Sequence, residues 1–124
     1  KDVSRIEAAY NDARGVTAEF NRNMLLVLNH ELGSDFDPSA FDHLAFYEPV
    51  AHRIEMHLIS QRAQTVHLGG REFNFSPNEK IITEFSYKHT IEGFSALAAS
   101  AGFQLARVWT DPEQLFAVFH FTTL

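Results

Sequence analysis

Glu84 and Ser86 put a carboxylate and a hydroxyl two residues apart in the segment 80–88, the longest strand candidate of the chain. Alternate residues of a strand project to the same face. The segment therefore predicts two faces, one with Ile82, Glu84, Ser86 and Lys88 and the other with Ile81, Thr83, Phe85 and Tyr87. Side chains about 6–7 Å apart on one face could hold a small polar ligand, since a carboxylate accepts from an N–H and a hydroxyl donates or accepts. A solvated strand face has the same spacing and is the alternative.

The chain contains seven histidines, which raises the question of a metal site. If a hairpin turn centres near Arg62, His57 faces His67 across two strands with Glu55 on the same face. Two histidines and one carboxylate could then bind a metal ion, although a register slip of one residue would separate them. Because no compact motif such as H-E-x-x-H is present, we predict no metal and interpret the histidines as surface or partner-packed residues.

Composition and missing motifs exclude several classes of function. The 124 residues include no cysteine, which rules out disulfides, thiolate nucleophiles and cysteine-ligated zinc. Neither a glycine-rich phosphate loop nor a G-x-S-x-G nucleophile motif occurs. Ten Lys and Arg against sixteen Asp and Glu give a net charge of −6. This balance argues against nucleic acid and against an anionic membrane surface, and the uncharged run 93–106 is too short to span a bilayer.

Two helices are predicted in the N-terminal third, the first over residues 3–13. Thr17 is the predicted N-cap of the second helix, and Gly33 follows its end. The apolar stripe of this second helix, predicted to face the core, consists of Phe20, Met24, Val27, Leu28 and Leu32. Asn21 and Asn23 interrupt the stripe. Asparagine is a poor helix former, so two of them suggest local hydrogen bonds or a polar contact, and solvent exposure is the alternative that we expect.

A short helix opened by Asp37-Pro38 is expected to run through Phe41, and from residue 44 the apolar period changes to two. The pattern predicts an antiparallel meander up to residue 88, with a tight hairpin at Gly69-Gly70. Thr90 is the predicted cap of a last helix, which ends at Ala101. Two final strands are predicted at residues 103–109 and 115–121. The fold class is therefore α+β, and Tyr10, at the end of the first helix, is expected to bury its ring and hydrogen-bond its hydroxyl.

Strings spread over nearly all 124 residues resemble one known family. They are, in order, FNRNMLLVLNHELGSDFDPSAF, RIEMHLIS, AQTV, ITEFSYKHT and AGFQLARVWTDPEQLFAVF. These strings are similar to the histidine-specific, S-adenosylmethionine-dependent methyltransferases, whose best-known members make the trimethylhistidine precursor of ergothioneine. The resemblance implies that the chain is only the C-terminal part of such a cytoplasmic enzyme. Residues 1–88 would complete a substrate-recognition domain, and residues 89–124 would be the last helix and two strands of a class I methyltransferase sheet.

The resemblance also implies roles for individual residues. Glu84 and Ser86 match the family's TE.S string and would contact the substrate imidazole. Met56, in RIEM, would line the same pocket, and Tyr10 would help to hold the substrate's carboxylate. Thr17 and Phe20 would lie nearby. The implied reaction methylates the α-amino group of histidine or a related amino acid, with positioning rather than covalent catalysis as the protein's contribution.

Three further expectations concern the missing part of the enzyme. S-adenosylmethionine would be bound by an N-terminal domain that carries the glycine-rich loop, so the chain alone would hold no cofactor and no catalytic residue and would be inactive. The two final strands would lose their sheet neighbours, which favours a dimer through exposed edges. The alternative function is a non-catalytic small-molecule-binding or interaction domain.

Overall fold

The computed structural model describes residues 2–123, which form two compact units, residues 2–87 and residues 88–123. The first unit contains two α-helices, a short 3-10 helix and five strands, and the second contains one helix and two strands. In chain order the elements are α1 (Val3–Tyr10), α2 (Val16–Leu32), the 3-10 helix (Pro38–Ala40), β1 (Phe41–Glu48), β2 (Arg53–Ser60), β3 (Gln64–Leu68), β4 (Arg71–Phe75), β5 (Lys80–Tyr87), α3 (Ile91–Ser100), β6 (Phe103–Thr110) and β7 (Ala117–Thr123). The predicted α+β class with antiparallel strands is confirmed.

The first unit is built on a three-stranded antiparallel sheet in the order β1-β2-β5. Its central strand β2 pairs with β1 along one edge and with β5 along the other, and side chains on both of its faces are buried. The hairpin β3–β4 is separate from this sheet and lies between β2 and β5 in the chain, so the strands do not form the simple meander that the sequence predicts. Gly69 and Gly70 form the predicted tight turn, with φ angles of 59° and 75° that glycine adopts readily.

The pairing of β2 overturns the metal alternative. His57 lies opposite Leu44 on β1 and Ile82 on β5, whereas His67 lies opposite Glu72 on β4. His67 instead binds Asp35, with 2.7 Å between Nδ1 and the carboxylate. The hydrogen bond to this carboxylate raises the pKa of His67. No group of His, Asp and Glu side chains among residues 2–123 is arranged to hold a metal ion.

Both helices of the first unit pack on the same face of the sheet. Tyr10 and Ile6 of α1 pack against a buried cluster of Ala45, Ile54 and Met56. A second cluster lies under α2 and the β3–β4 hairpin and consists of Leu25, Phe36, Ala40, Phe41, Leu58 and Val66. Burial of these apolar side chains is the main stabilising contribution to the unit.

The side of α2 that is buried differs from the predicted one. Asn21 is only 2% exposed and Leu25 is fully buried, whereas Phe20 is 64% exposed and Val27 is 48% exposed. The predictions that Phe20 faces the core and that Asn21 faces solvent are therefore wrong. Leu25 follows Asn21 by four residues, so the two lie on one side of the helix, and the hydrogen bonds that Asn21 makes in the core explain why a polar residue is accepted there.

The start of α2 also differs from the prediction, because Thr17 is not its N-cap. Gly15 occupies that position, in the left-handed conformation. The Asp12 carboxylate accepts from the backbone N–H groups of Val16 at 3.0 Å and Thr17 at 2.9 Å. These N–H groups, that of Thr17 foremost, lower the pKa of Asp12 from 3.8 to about 2. A carboxylate at this end of the helix also interacts favourably with the helix dipole.

The second unit pairs α3 with the two-stranded sheet β6–β7. Thr90 caps α3 as predicted, since its hydroxyl accepts from the N–H of Gly93 at 3.0 Å. Phe94 of this helix packs its ring edgewise against Phe119 and Phe121, with centroids 5.0 and 5.8 Å apart. No helix within residues 2–123 has the length and apolarity needed to cross a membrane.

Candidate functional site

The register of β5 against β2 puts Glu84 and Ser86 on the side of the sheet that faces the helices. Glu84 lies opposite Met56 and Ser86 lies opposite Ile54. Since paired residues of antiparallel strands share a face, both polar side chains project toward the cluster on which α1 packs. The prediction that Glu84 and Ser86 share one face is confirmed.

A β-bulge at Thr83 changes which face of β5 the side chains before it project from. Met56 pairs with Glu84 and His57 pairs with Ile82, so Thr83 falls between the two pairs. Its hydroxyl donates to the Met56 carbonyl at 2.9 Å. The extra residue moves Ile82 to the opposite face, where it is 49% exposed, so the prediction that it shares the face of Glu84 is wrong.

Tyr10 joins this pair from the end of α1. Its hydroxyl lies 2.9 Å from the Ser86 hydroxyl, with either atom as the donor. Its ring packs against the buried cluster that contains Ile54 and Met56. The expectation of a core ring with a hydrogen-bonded hydroxyl is confirmed. Tyr10, Met56 and the pair Glu84–Ser86 come from three separate parts of the sequence and lie next to one another in the structure.

The Glu84 carboxylate is half-buried, and among residues 2–123 it has no hydrogen-bond or ion-pair partner. Glu55, on the other face of β2, is engaged: it accepts from Arg53 at 2.7 Å and from His57 at 2.9 Å. The Arg53 hydrogen bond, followed by that of His57, lowers the pKa of Glu55. Glu84 therefore keeps its acceptor capacity for a ligand, whereas that of Glu55 is used within the fold.

Helix α1 is fixed to the edge strand β1 by backbone hydrogen bonds that the sequence did not suggest. The Asn11 carboxamide accepts from the Ala45 N–H at 3.3 Å and donates to the Ala45 carbonyl at 2.9 Å. Glu7 accepts from the Tyr47 N–H at 2.8 Å. These contacts satisfy backbone groups at the open edge of the sheet and hold the end of α1, where Tyr10 lies.

Two side chains connect Tyr10 to α2 through the sheet. His43, on β1, places its Nε2 atom 2.8 Å from the Tyr10 carbonyl oxygen. Its Nδ1 atom lies 2.9 Å from the side-chain nitrogen of Asn21, which also donates to the His57 carbonyl at 3.1 Å. Burial of an asparagine on the core side of a helix is visible only in three dimensions, so sequence reasoning missed this connection.

Thr17 and Phe20, the remaining predicted site residues, lie in α2. Thr17 is half-buried and its N–H is bound by Asp12, two residues after Tyr10. Phe20 is exposed and lines a shallow concave surface of about 490 Å³. The residues that line this surface are Val16, Glu19, Phe20, Arg22, Asn23 and Leu26. The structure therefore brings together Tyr10, Met56, Glu84 and Ser86, and it places Phe20 on another surface; the part that any of them has in substrate binding stays a prediction.

A half-buried carboxylate, two adjoining hydroxyls and an apolar floor are the kinds of groups with which proteins bind small polar molecules that carry an N–H donor. Comparison with known proteins places the chain in a family. The model of the S-adenosylmethionine-dependent, histidine-specific methyltransferases matches residues 1–123, and the chain belongs to that family.

Characterised relatives agree with this assignment. The chain is 45% identical over 120 residues to the histidine N-alpha-methyltransferase of Mycolicibacterium smegmatis, covering 95% of this chain and 37% of that protein. It is 42% identical over 113 residues to the protein of the same name from Mycobacterium tuberculosis, covering 90% and 35%. An N-methyltransferase of Aspergillus flavus is 27% identical over 114 residues, covering 91% and 31%. The chain thus spans about a third of the length of these relatives.

The described residues do not fit S-adenosylmethionine. In class I nucleotide and cofactor folds, a glycine-rich turn between a parallel strand and a helix lets the backbone approach the ligand. All strand pairs among residues 2–123 are antiparallel. The one direct strand-to-helix connection there, residues 88–90 between β5 and α3, contains no glycine.

Proposed function

We propose that this chain is the C-terminal, substrate-recognising part of a longer cytoplasmic enzyme that methylates the α-amino group of histidine, as in ergothioneine synthesis. Residues 1–88 contribute the recognition domain, and residues 89–124 belong to the class I sheet of a methyltransferase domain that binds S-adenosylmethionine. The names of the two bacterial relatives support the substrate. On this proposal the chain alone is inactive.

The unpaired carboxylate of Glu84 is the observation that carries the proposal. An imidazole N–H is a donor that this carboxylate can accept, and a hydrogen bond to a charged acceptor is stronger than one between neutral groups. Ser86, two residues further along the same face, supplies a hydroxyl to the same ligand. A ligand without the N–H would leave a desolvated carboxylate unpaired, so the site selects against it.

The remaining site residues orient the substrate. Met56 presents an apolar surface to the imidazole ring from the neighbouring strand. The Tyr10 hydroxyl, which already contacts Ser86, holds the substrate's carboxylate. With both ends of histidine held, its α-amino group has one orientation, which is the positioning that a direct displacement needs.

A mass-resolved methyl-transfer assay on the full-length enzyme tests this function. The enzyme is incubated with S-adenosylmethionine and a panel of free amino acids that includes histidine, phenylalanine and glutamine. We expect stepwise gains of one methyl group on histidine alone. Binding of S-adenosylmethionine without methylation of histidine would leave the enzyme class in place and overturn the assignment of the substrate site.

A further inference from the structure

The Asn21–His43 pair links the end of α1 to α2. His43 reaches from β1 to the Tyr10 carbonyl, and Asn21 reaches from α2 to both His43 and the His57 carbonyl. Asn21 is 2% exposed, and its side-chain oxygen is buried without a hydrogen-bond partner within residues 2–123. A buried polar group left unsatisfied costs stability, so the orientation of this amide needs a reason.

The chemistry of the partners fixes every proton in this connection. The His57 carbonyl can only accept, so the Asn21 atom that faces it is the NH2 group. The same NH2 group faces Nδ1 of His43, which must therefore be the acceptor. The Tyr10 carbonyl can also only accept, so His43 carries its proton on Nε2. In this geometry His43 donates from Nε2 to the Tyr10 carbonyl and accepts at Nδ1 from Asn21.

We propose that His43 is a positioning residue for histidine methylation, acting through Tyr10. The proposal rests on the proposed function, in which the Tyr10 hydroxyl contacts the substrate. Tyr10 is the last residue of α1, so its backbone lacks the hydrogen bond that a helix interior would provide to its carbonyl. His43 supplies that bond and holds the hydroxyl beside Ser86. Asn21 secures the His43 ring in turn.

Steady-state kinetics of the full-length enzyme tests the proposal, with the KM for histidine as the readout. His43→Ala is expected to raise this KM about tenfold, the range for loss of one hydrogen bond, and to leave the Kd for S-adenosylmethionine unchanged. His30→Ala is the matched control, since His30 is exposed and, among residues 2–123, bonds only to its neighbour Glu31. This control is expected to change neither quantity.

Two conservative variants separate positioning of Tyr10 from support of the core. The amide nitrogen of His43→Gln reaches the place of Nε2 and can donate to Tyr10, whereas the oxygen of His43→Asn reaches only the place of Nδ1 and can accept from Asn21. The proposal expects Gln to restore the KM to within about threefold of wild type and Asn to behave like Ala. Restoration by Asn and not by Gln would overturn it, because His43 would then act by holding Asn21.

A double variant shows whether His43 acts through the Tyr10 hydroxyl. Tyr10→Phe removes the hydroxyl, so adding His43→Ala should raise the KM by less than twofold beyond Tyr10→Phe alone. If the KM of the double variant rose by the product of the two single-variant increases, the positioning role of His43 would be contradicted. The proposed recognition of histidine would not be affected by that result. If wild-type enzyme does not methylate histidine at all, the proposed function fails and the positioning role fails with it.

Discussion

Residues 2–87 contain buried side chains on both faces of β2, whereas residues 88–123 contain none. The first unit has a three-stranded sheet, two helices on one face and a hairpin that closes its core. The second has one helix on a two-stranded sheet, and its large apolar side chains stay well exposed, as in Phe103, Trp109, Phe116 and Val118. A two-stranded sheet of this kind is marginal in water. The candidate site therefore lies in the unit whose buried core can hold its side chains in place.

Hydrogen-bonded carboxylates occur in both units. In the first unit the side chains whose pKa is lowered are Asp2, Asp12, Asp35, Asp37 and Glu55. In the second, Asp111 has a lowered pKa because backbone N–H groups, that of Phe116 foremost, bind its carboxylate. Polar anchoring therefore adds to apolar burial in the first unit, chiefly at helix ends and loops.

Separating the units should give the largest effect. We expect residues 1–87 to fold alone, with a cooperative thermal transition by circular dichroism and dispersed amide signals by nuclear magnetic resonance. Residues 88–124 alone should show neither, because the described part of this segment, residues 88–123, contains no buried side chain. Cooperative folding of residues 88–124 in isolation would remove the difference on which the comparison depends.

Truncation of one apolar side chain in each unit should give the next largest effect. Leu58 is fully buried and Leu97 is 54% exposed. Leu58→Ala is expected to lower the free energy of unfolding by about 2–5 kcal/mol, and Leu97→Ala by less than about 1 kcal/mol. Urea titration can separate the units, since the single tryptophan, Trp109, reports on the second one. Equal costs for the two variants would contradict the burial difference.

Association of the isolated chain is the third prediction. The exposed apolar side chains of β6 and β7 favour a dimer through these strands. Sedimentation equilibrium should give a mass near twice 14.1 kDa at high concentration. Trp109→Lys should shift the equilibrium toward monomer, whereas Val50→Lys, an equally radical change at an exposed site of the first unit, should not. A monomer at all concentrations would show that the second unit needs no further partner.

Acid should weaken the first unit through Asp12, which gives the smallest of these effects. Its pKa is lowered to about 2 in the folded chain, so its contribution is complete above about pH 4 and is lost as the pH falls toward 2. In thermal denaturation between pH 6 and pH 2, Asp12→Asn should start from a lower Tm and lose less on acidification. Glu19→Gln, in the first turn of the same helix, is the charge-matched control. An unchanged acid slope in Asp12→Asn would contradict the capping role.

Local sequence patterns predicted the features that depend on neighbouring residues. The Gly69-Gly70 turn, the Thr90 cap and the glycine after α2 follow from backbone preferences of single residues. Strand alternation was enough to put Glu84 and Ser86 on one face, because both lie on the same side of the bulge.

Features that depend on distant residues could not be predicted in this way. The bulge at Thr83 exists only in the pairing of β5 with β2. The sequence also suggested β3 as the partner of β2, whereas β2 pairs with β1 and β5, and local spacing does not determine that choice. Asn21 looks like a poor helix residue until the His43 ring and the His57 carbonyl are placed beside it. Spacing alone gave no signal for the contact between Tyr10 and Ser86.

Recognition of an imidazole N–H by the unpaired carboxylate of Glu84 is the central claim, and kinetics of Glu84→Gln in the full-length enzyme test it most directly. We predict that kcat/KM for histidine falls about 100-fold, because a charged hydrogen bond becomes a neutral one, while the Kd for S-adenosylmethionine stays unchanged. Glu31→Gln should behave like wild type, because it changes an exposed carboxylate whose partner in the described part of the chain is its neighbour His30. Unchanged kcat/KM for histidine in Glu84→Gln would contradict the account.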